Sequence, residues 1–269
     1  MQHESGADVH LRVTRSALRR TITLDHPQRK NALTNAMVTD ITREVDAAVL
    51  DDDVRVIVLR ATGSDFCTGI DLAESTSSQD RPRTGHLQRR MNQGAHRMIR
   101  TLHEAQLPVV AGVSGWAAGV GNALALSADV VIADETAKFW VPFVAKGFTP
   151  DSANTYLLPR LIGLARAKEM IMRAKPISAE TALQWGMISD VVAVGALDAA
   201  VDVVADEFAA AATLSVGLAK SLIHRNLDDD LANALHNEEI YEELAVRSED
   251  FKEGMRAFAH KRSPDYTGR

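Results

Sequence analysis

The chain has 269 residues, 46% of them hydrophobic and 25% charged, with a formal charge of -6. That is enough chain for one large core, or one core with a small appendage, and the balance is ordinary for a globular enzyme. The charge leaves no electrostatic footprint for nucleic acid, no stretch reaches the length of a membrane span, and a single cysteine, Cys67, excludes an intramolecular disulfide or a thiolate-rich zinc site and fits a reducing cytoplasm.

The first ten residues, MQHESGADVH, hold no apolar core, so no signal peptide is expected. Residues 11–24 read as two short strands with Ser16 and Ala17 as the hairpin turn, and His26, Pro27, Gln28 and Arg29 break the second strand. Thr34 can cap a helix whose Met37, Ile41, Val45 and Val49 mark one buried face. Asp51, Asp52 and Asp53 close that helix before an apolar strand at 54–59. The strand runs into a glycine turn at Thr68, Gly69 and Ile70, with a helix start at Asp71. Cys67 follows a Phe and has no clear local base, so it reads as a small buried filler rather than a nucleophile.

The polar, Pro- and Gly-bearing residues 74–86 read as a loop placed to cover a substrate. A helix is expected over 87–104, with Met91, Ala95, Met98, Ile99 and Leu102 as its apolar stripe and His96 beside the stripe as a satisfied, partly buried histidine. The stretch AGVSGWAAGVGNALALSAD then begins as a buried strand, turns at Ser114 and Gly115, and opens a small apolar helix through Gly119, Val120 and Gly121. That helix reads as fully buried, with its N-terminus at the bottom of a pocket. A helix N-terminus presents unpaired N–H groups and a partial positive charge. Two strand-turn-helix units, one through Ile70 and one through Val120, can thus aim two amides at one oxygen, which is the physical content of an oxyanion hole. GVGNAL lacks the spacing of a dinucleotide fingerprint, so NAD is not expected.

Further on, Pro150 favours a turn or a first helical residue, so the local pattern makes Asp151 a helix-capping aspartate. Phe139, Trp140, Phe143 and Phe148 bring aromatic surface to the same region, and core packing is their ordinary use. Helices are expected at 164–174 and at 178–184, the second opened by Ser178 and stopped at Gly186, followed by a last strand at 188–194. From Leu197 the pattern is helical: an Ala-rich helix, one at 216–226, and one long charged helix over 231–261 with Glu238, Glu239, Glu242 and Glu243 on its wet face.

Several ordered segments carry a resemblance. GSDFCTGIDL resembles the FxxGxDL segment, and SGWAAGVGNALALSAD the NGxxxGGGxxLAxxxD segment, of the enoyl-CoA hydratase/isomerase (crotonase) superfamily. HPQRKNAL, AKFWVPFVAKGFTPDSANTYLLPRLIG and EGMRAFAHKRSPDYTGR extend the likeness over nearly the whole chain. The resemblance implies an α/β fold: a crotonase-like ββα spiral at 1–195 that carries a CoA-ester site, and a C-terminal helical segment at 196–269 that covers the site and builds trimers, often paired as hexamers. It implies an acyl-CoA substrate and no cofactor beyond the coenzyme A of that substrate. It puts the Ile70 and Val120 amides on the thioester oxygen. Arg29, Ala32, Thr68, Asp71, Leu72, Trp116, Phe143, Phe258 and Lys261 fall at positions that line the substrate or its coenzyme A.

Hydratases of the superfamily use two glutamates to handle water, and the matching positions here are Ala123 and Phe143, neither of which transfers a proton. Dienoyl-CoA and ring-modifying isomerases with a GLVPDxG segment place a proton-transferring aspartate where Asp151 stands. Aryl-CoA dehalogenases place a nucleophilic aspartate there, with a histidine base at the position of His96. A Phe143 that lines the pocket would exclude water and raise the Asp151 pKa by desolvation. The resemblance therefore favours an isomerase that shifts a double bond with Asp151 as acid and base. The alternatives are a dehalogenase or hydrolase acting through Asp151 with His96, an atypical hydratase, and a non-catalytic acyl-CoA binding protein.

Overall fold

The computed structural model describes residues 10–16, 18–71 and 83–269. Ala17 of the expected hairpin turn, Leu72 of the expected substrate site, and residues 1–9 and 74–82 lie outside the described residues.

Strands β1 (Leu11–Ser16) and β2 (Arg19–Leu24) form an antiparallel hairpin with Leu11 opposite Leu24. Helix α1 (Asn35–Val49), capped by Thr34 Oγ1 accepting the Met37 N–H at 3.2 Å, returns the chain to β3 (Val56–Ala61), parallel to β2. The chain continues through α2 (His86–Gln93), α3 (Ala95–Glu104), β4 (Val109–Val113), β5 (Trp116–Ala118), α4 (Val120–Leu126) and β6 (Val130–Asp134). It then runs through β7 (Lys138–Trp140), α5 (Asn154–Arg173), β8 (Ile177–Ser178), α6 (Ala179–Gln184) and β9 (Asp190–Val192). Helices α7 (Leu197–Ala209), α8 (Thr213–Asn226), α9 (Leu231–Ala245) and α10 (Glu249–His260) complete it.

Among the described residues the larger sheet has six strands in the order β1-β2-β3-β4-β6-β9, all parallel beyond the hairpin, and β5-β7-β8 form a second sheet. Residues Val56 to Leu59 of β3 are all buried because both faces of the larger sheet are covered. Ile57 and Leu59 join the main core with α1, α3 and α4, whereas Val56 and Val58 meet Val201, Ala205 and Ala209 of α7 on the other face. Lys220 of α8, 8% exposed, donates to the Leu102 and Leu107 carbonyls and pairs with Asp129 at 2.8 Å, which clamps α8 to the end of α3 and the approach to β4.

Several expectations need correction. The helix expected over 87–104 is interrupted at Gly94, whose φ of -101° and ψ of -115° leave the helical region. The helix expected over 231–261 is two helices, because Ser248 adopts extended backbone and caps α10 by accepting the Phe251 N–H at 3.0 Å. The helix expected at 164–174 begins at Asn154 and bends at Gly163, where φ is 75° and ψ is 162°. The strand expected at 54–59 lies two residues later, and the one at 188–194 shortens to β9. No helix among the described residues is long and apolar enough to cross a membrane. Cys67 is fully buried and burial pushes its thiol up to about 12, which fits a filler.

Candidate functional site

The second sheet continues beyond its named strands. Leu33 bridges Ile70 and Cys67 bridges Ala117, both in parallel sense, so the segment 67–70 is held between Leu33 on one side and residues 116–118 on the other. The pairing fixes which way Ile70 faces. Leu33 sends its N–H to the Gly69 carbonyl at 2.8 Å and takes the Asp71 N–H at 2.9 Å, so Ile70, between those two, turns its own N–H to the opposite side. That side faces residues 116–118: Cys67 donates to the Trp116 carbonyl at 2.8 Å and accepts from the Ala118 N–H at 2.9 Å. The neighbouring strand ends at Ala118, and among the described residues no backbone carbonyl takes the Ile70 N–H.

Val120 opens α4, and the N–H of a first helical residue has no partner inside its helix. The two turns touch. A Cβ added to Gly69, at φ +98°, would stand 3.0 Å from the Ala118 oxygen and 3.6 Å from the Val120 nitrogen, so only glycine allows this approach. All seven residues of α4 are buried, as its small apolar composition predicts, and its N-terminus emerges between the two turns. Phe143 lies across the second turn, its ring 3.6 Å from where a Gly119 Cβ would be.

Asp151 is not a helix cap. Helix α5 starts after Ala153, and what Asp151 offers the helix is its main-chain carbonyl, which accepts from the Asn154 N–H at 3.1 Å and Nδ2 at 2.9 Å. The carboxylate is left over: its Oδ1 is shut off from solvent and meets no hydrogen-bond donor among the described residues. Burial therefore raises its pKa above the usual carboxylate value, against a partial offset from Ser152 and His96 beside it. The Ser152 N–H points to His96 Nε2 at 3.4 Å, so the histidine on α3 does stand next to the Asp151 segment. Ser152 and Ala153 both sit in the left-handed region, at φ 51° and 66°, a strained arrangement for non-glycine residues.

The remaining expected contacts divide. Arg29 pairs with Asp71 at 2.8 Å, and Thr68 Oγ1 donates to the Lys30 carbonyl at 3.2 Å, so the turn that Ala32 closes by donating to the Arg29 carbonyl at 3.0 Å is tied to the Gly69 turn. Trp116 packs on Trp140 at 5.6 Å between ring centroids, with the Lys138 ammonium 5.4 Å from its ring. Phe139 is core, but Phe148 is exposed. Phe258 is 81% exposed near the end of α10, and Lys261 caps that helix. No hydrogen bond or ion pair among the described residues ties either to the site.

Sequence reasoning missed two residues here. Asn122 and Asn154, both fully buried, connect the second turn to the Asp151 segment. A visible signal existed for Asn122, the one polar side chain in VGNALAL.

The sequence pattern of the family described as Enoyl-CoA hydratase/isomerase matches residues 17–269. The chain is 36% identical over 249 residues to 1,2-epoxyphenylacetyl-CoA isomerase of Escherichia coli (strain K12), over 93% of this chain and 95% of that one. It is 32% identical over 249 residues to 2,3-dehydroadipyl-CoA hydratase of the same organism, over 92% and 94%. The solved structure of an enoyl-CoA hydratase from Bacillus anthracis matches with a TM-score of 0.90 at 28% identity, over 97% of this chain and 100% of that one. With its paired glycine turns, its two sheets and its C-terminal helices, the chain belongs to the enoyl-CoA hydratase/isomerase family and has the crotonase fold.

Proposed function

We propose that this protein is an enoyl-CoA isomerase in which Asp151 carries the proton. The Ile70 and Val120 amides hold the thioester oxygen. Asp151 takes a proton from C2 of a 3-enoyl thioester, and the electron pair moves onto that oxygen as an enolate. The protonated Asp151 returns the proton to C4, leaving the 2-enoyl ester. Each amide donor is worth roughly 3 kcal/mol to the enolate-like transition state.

One observation carries the reading: a shielded, unpaired carboxylate oxygen with a raised pKa, on a segment bound through Asn154 to the Gly119 carbonyl beside the Val120 amide. Ala123 and Phe143 at the glutamate positions leave water addition without its usual proton carriers, and Phe143 against Gly119 adds apolar surface. A relative named 1,2-epoxyphenylacetyl-CoA isomerase supports isomerase chemistry on an acyl-CoA, beside relatives named as hydratases. Arg29, Ala32, Thr68, Asp71, Leu72 and Trp116, with Phe258 and Lys261 from the tail, hold the substrate and its coenzyme A. No cofactor is needed beyond that coenzyme A. Leu231, Leu235, Ile240 and Leu244 of α9 and Met255 and Phe258 of α10 are exposed apolar side chains, which supports a homotrimer, or a dimer of trimers, built by the C-terminal segment. The protein works in the cytoplasm.

The position of His96 next to Ser152 favours a second reading, in which Asp151 attacks carbon and His96 activates the water that releases the ester. Asp151→Asn separates the two. It should abolish isomerisation of a 3-enoyl-CoA while leaving affinity for the ester nearly intact. Undiminished turnover would remove Asp151 from the reaction, and a covalent adduct on Asp151 of the wild type, seen by mass spectrometry with an aryl-CoA ester, would favour the second reading.

A further inference from the structure

Asn154 is fully buried at the start of α5, and its one side-chain amide serves two main-chain carbonyls. Its Nδ2 donates to the Gly119 oxygen at 3.1 Å and to the Asp151 oxygen at 2.9 Å. Its Oδ1 accepts from Asn122 Nδ2 at 2.8 Å. Burying an amide is unfavourable unless its hydrogen bonds are made, and here both donors and the acceptor are used.

What these bonds hold follows from the geometry of the peptide unit. A carbonyl and the N–H that follows it lie in one rigid plane and point in opposite directions. Holding the Gly119 oxygen therefore sets the direction of the Val120 N–H, and a hydrogen bond on that oxygen also strengthens the N–H as a donor. Holding the Asp151 oxygen sets the plane between Asp151 and Ser152, whose N–H reaches His96 Nε2. Asn122 keeps the Asn154 amide turned the right way at a cost, since its own Oδ1 is shielded and has no partner among the described residues. The left-handed Ser152 and Ala153 add to that cost, so this turn is held against its local preference.

We infer that Asn154, oriented by Asn122, is a positioning residue that locks the Val120 amide and Asp151 into one relative geometry, so that oxyanion donor and proton carrier cannot drift apart. The role rests on the isomerase reading of Asp151 and adds to it a residue that touches no substrate.

The test uses the full chain, Asn154→Ala and Asn154→Asp, with two readouts: turnover of a 3-enoyl-CoA, and the absorption of a conjugated aryl-enoyl-CoA, which shifts to the red when its thioester carbonyl is hydrogen-bonded. Asn154→Asp keeps the side-chain size and the bond from Asn122 but, protonated by burial between two carbonyls, donates to only one of them, and it decides the matter if the alanine protein does not fold. A displaced donor should lower kcat by roughly 100-fold while KM changes by less than about 3-fold, and the red shift should shrink. Folded variants with wild-type kcat and an unchanged red shift overturn the role, as does a loss of activity that only tracks the loss of folded protein. Asp151→Asn, run in parallel, keeps the two questions apart. Full turnover in that protein sinks the isomerase reading itself, whereas an inactive Asp151→Asn beside fully active Asn154 variants sinks only the role of Asn154.

Discussion

Gly121→Ala tests the contact between the two turns directly. A methyl group there would stand 2.2 Å from the Cys67 carbonyl oxygen and 2.8 Å from its carbonyl carbon. Ordinary contact starts at 3.4 Å, so the two segments must part by about 1 Å, and what must yield is main chain rather than the end of a flexible side chain. The same Cys67 oxygen accepts the Ala118 N–H at 2.9 Å, the bond that registers 67–70 on 116–118. Parting them moves the Ile70 amide away from the Val120 amide. A misplacement of this size costs on the order of 100-fold in rate, about 2.7 kcal/mol of barrier, and the overpacking should cost roughly 1–3 kcal/mol of stability. The assay is turnover of a 3-enoyl-CoA beside a thermal melt and the affinity for a saturated acyl-CoA. Gly147→Ala is the control. Nothing lies within 4 Å of its added Cβ and only its φ of +75° is strained, so it should lower stability without changing turnover. A folded Gly121→Ala protein with wild-type kcat would refute the claim that the two turns form one site.

Arg29→Ala should raise KM for a CoA thioester by no more than about 5-fold, the range of an exposed ion contact, and leave KM for a pantetheine thioester, which lacks the nucleotide, unchanged; steady-state kinetics on the two esters checks it. Lys220→Met should lower stability by roughly 1–3 kcal/mol in urea unfolding, because the Leu102 and Leu107 carbonyls lose their donor and Asp129 its ion pair. His103 stacks on His224 at 3.9 Å, and burial, with His224 and Lys220 nearby, holds its pKa down to about 4 from 6.5. The unfolded chain then binds more protons between those two values, so stability should fall as pH falls from 6.5 towards 4, and His103→Phe should flatten the decline in Tm across that window. Asp151 has the opposite sign. Its raised pKa means the charged form costs stability as pH rises through that pKa, so Asp151→Asn should melt higher than the wild type at neutral pH.

Much of this protein is legible from residues close together in the chain. The buried β3 and β4 strands, the Thr34 and Ser178 caps, the wholly buried α4 and the glycine turns at Gly69 and Gly119 follow from short apolar runs and from residues that only certain backbone shapes accept. Those are local energies, and a sequence displays them. The helix ends were less legible where one backbone conformation decides. Gly94 and Ser248 each lie inside a stretch that reads as one helix, and in the folded chain the backbone of each leaves the helical region.

The site divides in the same way. Local pattern made Asp151 a cap, and the family likeness made it a proton carrier. The tertiary structure decided that its carbonyl serves the helix while its carboxylate oxygen is shut away without a donor. That outcome depends on Asn154 reaching back 35 residues to Gly119 and on Asn122 meeting it from 32 residues away. No window on the sequence contains such a contact. The chain by itself specified where most strands, turns and helices would fall, though not all of their ends or breaks, because each segment's preferences are written in its own side chains. The folded arrangement alone decided which buried polar atoms would be paired, because that depends on what the rest of the molecule brings within 3 Å or so of them.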